Sequence, residues 1–262
     1  MSITVIVPVR HGDPKPDKKL FPSNTLFIDD AGKGKKYALL KGVEAATTDY
    51  VWFRDADTTG ATDLSAIGQL SADMYILPLR MTEGNGSLLC RLQATEYEAI
   101  QRLTIEAARK GRAVMCSGAN LIVRRKAWLT SYEDIHPEIP SGDDMFILES
   151  FKRRRLSINT LCKPELTAIV EPQPTLRGLL RQRMRWAGKA PHYTDSDIRL
   201  CAAAVAIINI LCILCPLFYI PKYLVERRFI SSTTPVSLLL SLVYPYYMLI
   251  SAIGGLIHKG RW

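Results

Sequence analysis

The stretch "TLFIDDAGKGKKYALLKGVEAATTDYVWFRDAD", residues 25 to 57, decides how this chain is read. An apolar, β-prone run ends in Asp29 and Asp30. Tyr37, Leu40, Val43 and the Glu44 to Ala46 step then recur at helical spacing, and a second apolar run, Tyr50 to Phe53, stops at Asp55 and Asp57. Strand, helix, strand predicts an open α/β sheet, whose ligands bind at the carboxyl ends of the strands. All four aspartates fall on that edge.

Outward from this unit, "ITVIVPV" (3 to 9) and "DMYILPL" (73 to 79) predict further strands. Residues 87 to 110, "SLLCRLQATEYEAIQRLTIEAARK", predict a long amphipathic helix, and "AVMCSGANLIVRRKAW" (113 to 128) two short strands around a Ser-Gly-Ala-Asn turn. "SGDDMFILESFKRRR" (141 to 155) predicts a helix opening at Gly142, Asp143 and Asp144, where exposed amides favour carboxylates.

Composition changes abruptly between Asp195 and Arg199. The first 195 residues read as a soluble domain, including an interfacial helix at about 175 to 190, and residues 196 to 262 read as a membrane domain. The charge-free run from Leu200 to Ile220 reaches the roughly 20 residues a helix needs to cross a hydrocarbon core. Pro235 to Ile257 is of similar length, with a Pro-kinked aromatic centre and the basic tail "HKGRW" behind it. The expectation is a transmembrane hairpin at about 200 to 221 and 235 to 257.

The opening "MSITVIVPVR" lacks the basic start and small-residue cleavage site of a signal peptide, which predicts a cytosolic catalytic domain on the inner or plasma membrane. Net charge is +9, and its densest cluster, Arg177 to Lys189, lies just ahead of the first apolar run. That placement suits anionic lipid headgroups, and nucleic acid is not expected as a partner. The six scattered cysteines read as packing residues.

Asp55 and Asp57 repel each other unless something positive stands between them, and three readings answer this. They cap the turn "DTTG". They are the nucleophile and acid/base of a phosphatase of the haloacid dehalogenase type, although Ile147 stands where the second Asp of a Gly-Asp-x-x-x-Asp magnesium motif after Gly142 and Asp143 belongs. Or they hold a divalent cation that bridges to a nucleotide-sugar diphosphate; hard oxygen ligands suit Mg²⁺ or Mn²⁺, and the phosphates complete the shell. On the third reading Asp143 and Asp144 are candidates for the base that deprotonates an acceptor hydroxyl. In "LLRQRMRW", Leu176, Leu179, Leu180 and Met184 predict an apolar stripe, with Arg181 and Arg185 on a neighbouring face. Arg185 can fork onto phosphate oxygens, and Trp186 offers a flat wall for a sugar or an interfacial anchor; the same pattern also fits a plain membrane-surface helix.

Taken in order ahead of apolar helices, "DAD", "GDD" and "QRMRW" resemble the membrane-bound family-2 inverting glycosyltransferases of GT-A (Rossmann-like) fold, in particular bacterial members carrying "SGANL", "SGDDMF" and "QRMRWAGK". The resemblance covers residues 1 to 190 in motif order. It implies a metal-dependent transferase that moves a sugar from a nucleotide-diphosphate donor to a lipid or lipid-linked glycan acceptor, as in making cell-envelope polysaccharide. Asp57 then matches the second metal-motif Asp and Asp55 the first, facing nucleotide and sugar. Asp144 matches the base, with Asp143 in place of the usual Glu. Gln182, Arg185 and Trp186 match Gln-x-x-Arg-Trp at the diphosphate and acceptor end. Gly34 and Lys35 match the Gly-Lys near the nucleotide, Pro8 the strand-end Pro, and Asp30 a nucleobase contact. Family members carry a further α/β unit where this chain has only Arg10 to Lys33, so the domain is expected to be shortened by one unit. A membrane-tethered nucleotide-sugar-binding protein with degraded activity is the further alternative.

Overall fold

A computed structural model describes residues 2–60, 62–136, 138–139, 141–230 and 234–258, with the side chain of His258 left out. The basic tail beyond 258 lies outside the described residues. Contacts divide the chain into two compact units, Met1–Leu79 with Ile105–Val170, and Arg80–Thr104 with Glu171–Trp262.

The first unit is a six-stranded mixed sheet with helices. In chain order it contains β1 (Ile3–Val9), β2 (Thr25–Asp29), α1 (Lys35–Ala45), β3 (Tyr50–Arg54) and β4 (Met74–Ile76); the chain leaves through β5 (Leu79–Met81) and α2 (Leu88–Arg109), and returns in the last turn of α2. Then follow β6 (Asn120–Arg124), α3 (Arg125–Thr130), α4 (Asp143–Arg153), β7 (Ile158–Thr160) and β8 (Ala168–Val170). Strand order is β2-β1-β3-β6-β4-β7, and only β6 runs antiparallel to its neighbours. The β3 run is buried at every position because both faces of the sheet are covered, so it reads as continuous apolar sequence rather than alternation.

The β1 to β2 crossover holds no α-helix, only a 3-10 turn at Lys18–Leu20 that Asp17 caps. Even so, β1 and β2 pair in parallel from Val5↔Thr25 to Val9↔Asp29. This is the shortened unit that the sequence predicts, and "FIDD" is a true strand end.

One expectation is corrected. "AVMC" forms no strand: Cys116 Sγ donates to the carbonyl of Asp144 (3.1 Å), so that segment is held by a side-chain bond instead of a ladder. On α1 the buried positions are Lys36, Ala38, Leu39, Gly42 and Val43; Tyr37 and Leu40 are only half-buried. Gly42 sets that face, since a Cβ there would stand 2.5 Å from Ile6 Cγ2.

The second unit contains the body of α2, then α5 (Leu176–Ala187), α6 (Ser196–Leu214), α7 (Tyr219–Glu226) and α8 (Pro235–His258). Thr175 and Asp195 cap α5 and α6 through their side chains. Pro216 follows the end of α6, so the apolar run Leu200 to Ile220 is divided between α6, a 3-10 turn and the start of α7. Ser196–Leu214 and Pro235–Ile257 are each long and apolar enough to cross a membrane. Many of their large side chains face outward, Leu200, Ile207, Leu214, Leu256 and Ile257 among them.

Pro245 lies inside α8 and has no N–H to give the carbonyl of Ser241 one turn earlier. Lys222 fills the gap: its buried ammonium donates to Ser241 O (2.8 Å) and Ser241 Oγ (3.0 Å) while pairing with Glu226 (2.6 Å). Tyr219 Oη donates to the next carbonyl, Leu242 O, at 3.0 Å. Near the other end of α8, a Cβ on Gly255 would fall 2.7 Å from both Gly188 N and Met184 O, so α8 and α5 meet backbone to backbone there.

Candidate active site

In the first unit the parallel strands β1, β2 and β3 deliver their carboxyl ends to one edge, as the sequence predicts. Beneath the "DAD" turn lies Arg54, 1% exposed, whose Nη2 donates to Thr59 O (2.8 Å). Burial pulls the Arg54 pKa down to about 10, with Asp55 pushing back. The turn is tight. Thr58 N donates to Asp55 O at 3.1 Å, and Gly60, at φ 93, has room for no Cβ because Thr167 O lies 2.7 Å from where it would be.

Above this floor four charged groups gather. Lys35 Nζ stands 2.7 Å from Asp55 Oδ1 and 3.3 Å from Asp143 Oδ2. Burial works to lower the lysine's pKa, but the charges of Asp143, Asp55 and Asp144 outweigh it and raise it above the ordinary lysine value. Lys35 is the first residue of α1, after Gly34 at φ 89, and Asp143 and Asp144 open α4 after Gly142 at φ 86. Two left-handed glycines thus turn the chain into both helices where the charges must meet. Gly118 N donates to Asp144 Oδ2 (3.3 Å) and Met145 N to Asp144 Oδ1 (2.8 Å). A Cβ on Gly118 would lie 2.9 Å from Asp143 Oδ2 and 3.1 Å from Lys35 Nζ, so glycine is what lets the "SGAN" loop lie against the cluster.

Lysine therefore supplies positive charge to Asp55. Asp57 is different: its carboxylate is exposed and has no hydrogen-bond or ion-pair partner among the described residues. No group of three or more His, Cys, Asp or Glu side chains capable of holding a metal occurs among the described residues. The protein offers one open strand-end carboxylate, Asp57, and one already shared, Asp55. That donor set fits a hard divalent cation whose remaining ligands are phosphate oxygens and water, and does not fit an all-protein cage.

Asp30 is buried and committed locally, its Oδ1 accepting from His11 N and Gly32 N (both 2.9 Å), which ties the exit of β1 to the loop after β2. Pro8 lies past Ile6↔Phe53, the last β1 to β3 register pair, so its missing N–H breaks no bond to β3.

Sequence reasoning assigned Lys35 to the nucleotide and missed its bridge between Asp55 and Asp143, a contact 108 residues apart in sequence that no local pattern encodes. It also missed Lys36, which donates to the carbonyls of Ile135 (2.6 Å) and His136 (2.7 Å) and fixes α1 to the segment before α4. Asn120 was read only as part of a turn. It is a buried hub that accepts from Trp52 Nε1 (2.8 Å) and donates to Pro78 O and Leu166 O.

In the second unit, Gln182, Arg185 and Trp186 lie on α5. Arg185 is exposed and unpaired among the described residues, and Trp186 is 37% exposed. The apolar stripe differs from expectation: Leu179 is buried, but Leu176 is exposed, and the buried residue one turn on is Arg183. Its Nη2 donates to Glu96 Oε2 of α2 (2.7 Å) and its Nε to Tyr247 Oη of α8 (2.5 Å). Burial opposes the guanidinium's charge, yet Glu96 and Tyr247 hold its pKa above the ordinary arginine value.

Residues 22–189 match the family model described as glycosyltransferase like family 2. No curated protein matches the chain. Among solved structures it is similar to the mannosyltransferase PcManGT from Pyrobaculum calidifontis in complex with GDP-Man and Mn²⁺, at 14% identity, 98% of this chain, 86% of that one and a TM-score of 0.59. It is also similar to glucosyl-3-phosphoglycerate synthase from Mycobacterium tuberculosis in complex with Mn²⁺ and UDP-glucose (14% identity, 74% of this chain and 80% of that one, TM-score 0.42). A third is mannosyl-3-phosphoglycerate synthase from Rubrobacter xylanophilus (13%, 69% and 70%, TM-score 0.37). The likeness to the first extends over nearly the whole chain and is one of fold: mixed α/β, of the GT-A type.

Proposed function

Because the chain belongs to the glycosyltransferase family 2-like enzymes, its match covering residues 22–189, we propose that it is an inverting transferase moving a sugar from a nucleotide-diphosphate donor to a lipid or lipid-linked glycan acceptor. It would work at the cytosolic face of the membrane, anchored by α6 and α8. The observation that carries this reading is the gathering of Asp55, Asp143 and Asp144 around Lys35 at the strand ends, beside a free Asp57.

Asp57, with Asp55, would hold Mg²⁺ or Mn²⁺, which when bound supplies positive charge to the donor diphosphate. Lys35 keeps Asp55 and Asp143 from repelling each other. Asp144, held by two backbone amides, is the base. It takes the acceptor hydroxyl proton as the oxygen forms its bond to the anomeric carbon and the bond to the diphosphate breaks on the opposite face, which inverts configuration. The Arg185 guanidinium has its donors open for phosphate oxygens. Gly34 would cap the nucleotide end of α1, and Trp186 and Gln182 would meet the acceptor. The exposed apolar faces of α6 and α8 favour a lipid-borne acceptor.

A haloacid-dehalogenase-type phosphatase is not favoured: the family match and the GT-A likeness point elsewhere, and Asp55 Oδ1 is engaged by Lys35. A degraded binding protein is not favoured either, since the charged cluster is intact.

The test is turnover of UDP- and GDP-sugars by the full chain in lipid nanodiscs with Mn²⁺ or Mg²⁺. The reading expects release of nucleoside diphosphate and transfer of labelled sugar into the lipid extract. Tight donor binding without release would support the binding-protein alternative, and a phosphorylated Asp55 would support the phosphatase.

A further inference from the structure

We propose that Arg183 is a positioning residue which, locked by Glu96 of α2 and Tyr247 of α8, fixes the indole of Trp186, so that the second apolar helix is a working part of the motif helix and not an anchor alone. The part of this that concerns the acceptor rests on the reading above; the part that concerns Trp186 does not.

Four observations converge. Arg183 is 6% exposed and Glu96 7%, so the ion pair is nearly dry, and breaking it would leave a buried charge uncompensated. Two of the guanidinium nitrogens, Nη2 and Nε, donate to partners from different helices, Glu96 and Tyr247. Its carbon lies 4.2 Å from the centroid of the Trp186 ring, a cation–π stack on one turn of α5. The indole is thus backed on one face by a guanidinium that cannot rotate, while the ring keeps 37% of its surface open. Finally, α8 approaches α5 to backbone contact at Gly255, and a Cβ on Gly254 would strike Met184 at 2.6 Å. Nothing larger than glycine permits this approach, and the approach brings Tyr247 of α8 within hydrogen-bonding range of Arg183 of α5.

Arginine is needed for the fork: one nitrogen to the carboxylate, another to the phenol, and the flat carbon plane against the indole. Lysine would keep the charge but could meet only a point partner. A fluctuating Trp186 would still leave the donor site of the first unit intact, so the defect expected from a loosened clamp falls on acceptor use and not on donor cleavage.

The test uses the full chain in nanodiscs and compares Tyr247→Phe, Arg183→Lys, Arg183→Met and Glu96→Gln, each with and without Trp186→Phe. Subtracting the paired spectra isolates the emission of Trp186. The proposal expects that emission to shift to the red and become more readily quenched by acrylamide in all four variants, with Arg183→Lys failing to rescue. With any nucleotide sugar that the wild type turns over, Tyr247→Phe is expected to lower transfer into the lipid extract about tenfold, the equivalent of one lost hydrogen bond to a charged group. Hydrolysis of the same donor to water should keep its rate. Unchanged Trp186 emission in folded Tyr247→Phe and Arg183→Met would overturn the proposal, as would equal losses of hydrolysis and transfer. Failure of Tyr247→Phe to fold would overturn it too, because deleting one hydroxyl from a positioning contact should spare the fold. If no donor is turned over, the emission arm still decides the matter, so failure of the enzymatic reading remains separate.

Discussion

On the proposed reading Asp57 at the strand end and Asp144 at the start of α4 have different roles, and single substitutions should separate them. Asp57 is the open carboxylate, so Asp57→Ala is expected to lower sugar transfer on the order of a hundredfold and to weaken Mn²⁺ binding, followed by electron paramagnetic resonance; wild-type metal affinity would remove Asp57 from the metal role. On the same reading Asp144 is the base and not a metal ligand. Asp144→Asn should leave donor and Mn²⁺ affinity near wild type while transfer falls by about a hundredfold or more, and an active variant would pass the base role to Asp143. The placement of these acids at a strand end and at a helix start was legible in sequence, from an apolar run that stops at acids and from a glycine-acid helix start. The lysine bridge between Asp55 and Asp143 was not, because Lys35 meets Asp143 across 108 residues of sequence. Arg183 was hidden for a related reason: local periodicity treats arginine as a surface residue, and only a distant Glu96 makes its burial tolerable.

At the scale of elements, β1, β3, α2 and α4 follow from apolar runs, amphipathic spacing and a glycine-acid start, and the structure contains them. The predicted strand at 113 to 116 fails because a thiol-to-carbonyl bond holds that segment instead. Pro245 was visible as a kink, whereas the lysine that repairs it was not. Lys222→Met should destabilise the hairpin by on the order of 3 kcal/mol, since Glu226 loses its charge partner, keeping only Ser241 Oγ, and Ser241 O loses its donor. Adding Pro245→Ala restores an N–H to that carbonyl and should recover part of the loss. Denaturant unfolding of the four-member cycle in nanodiscs checks this, and additive effects would show that the two residues do not share the carbonyl.

Over the whole molecule, acid stability should follow the carboxylates that fasten the first unit. Asp73 and Asp134 are both partly buried, which alone would raise their pKa values. Hydrogen bonds from Ser157 and Arg124 to Asp73, and from Ser150 and Arg154 to Asp134, together with nearby guanidinium charge, bring both below the ordinary carboxylate value. A depressed folded-state pKa contributes stability above the unfolded value, and that contribution drains away as pH falls through the folded one. Stability should therefore be flat near neutrality and decline below about pH 4, and Asp134→Asn should flatten the decline in a urea-midpoint series. The abbreviated crossover from Arg10 to Asn24 carries a different lesson. Nearly all of it is solvent-exposed, it carries a single 3-10 turn, and the strands it joins already pair in full register. Closure entropy grows only with the logarithm of loop length, so the stretch beyond His11, whose N–H is held by Asp30, is a natural port for grafting a reporter or an affinity module.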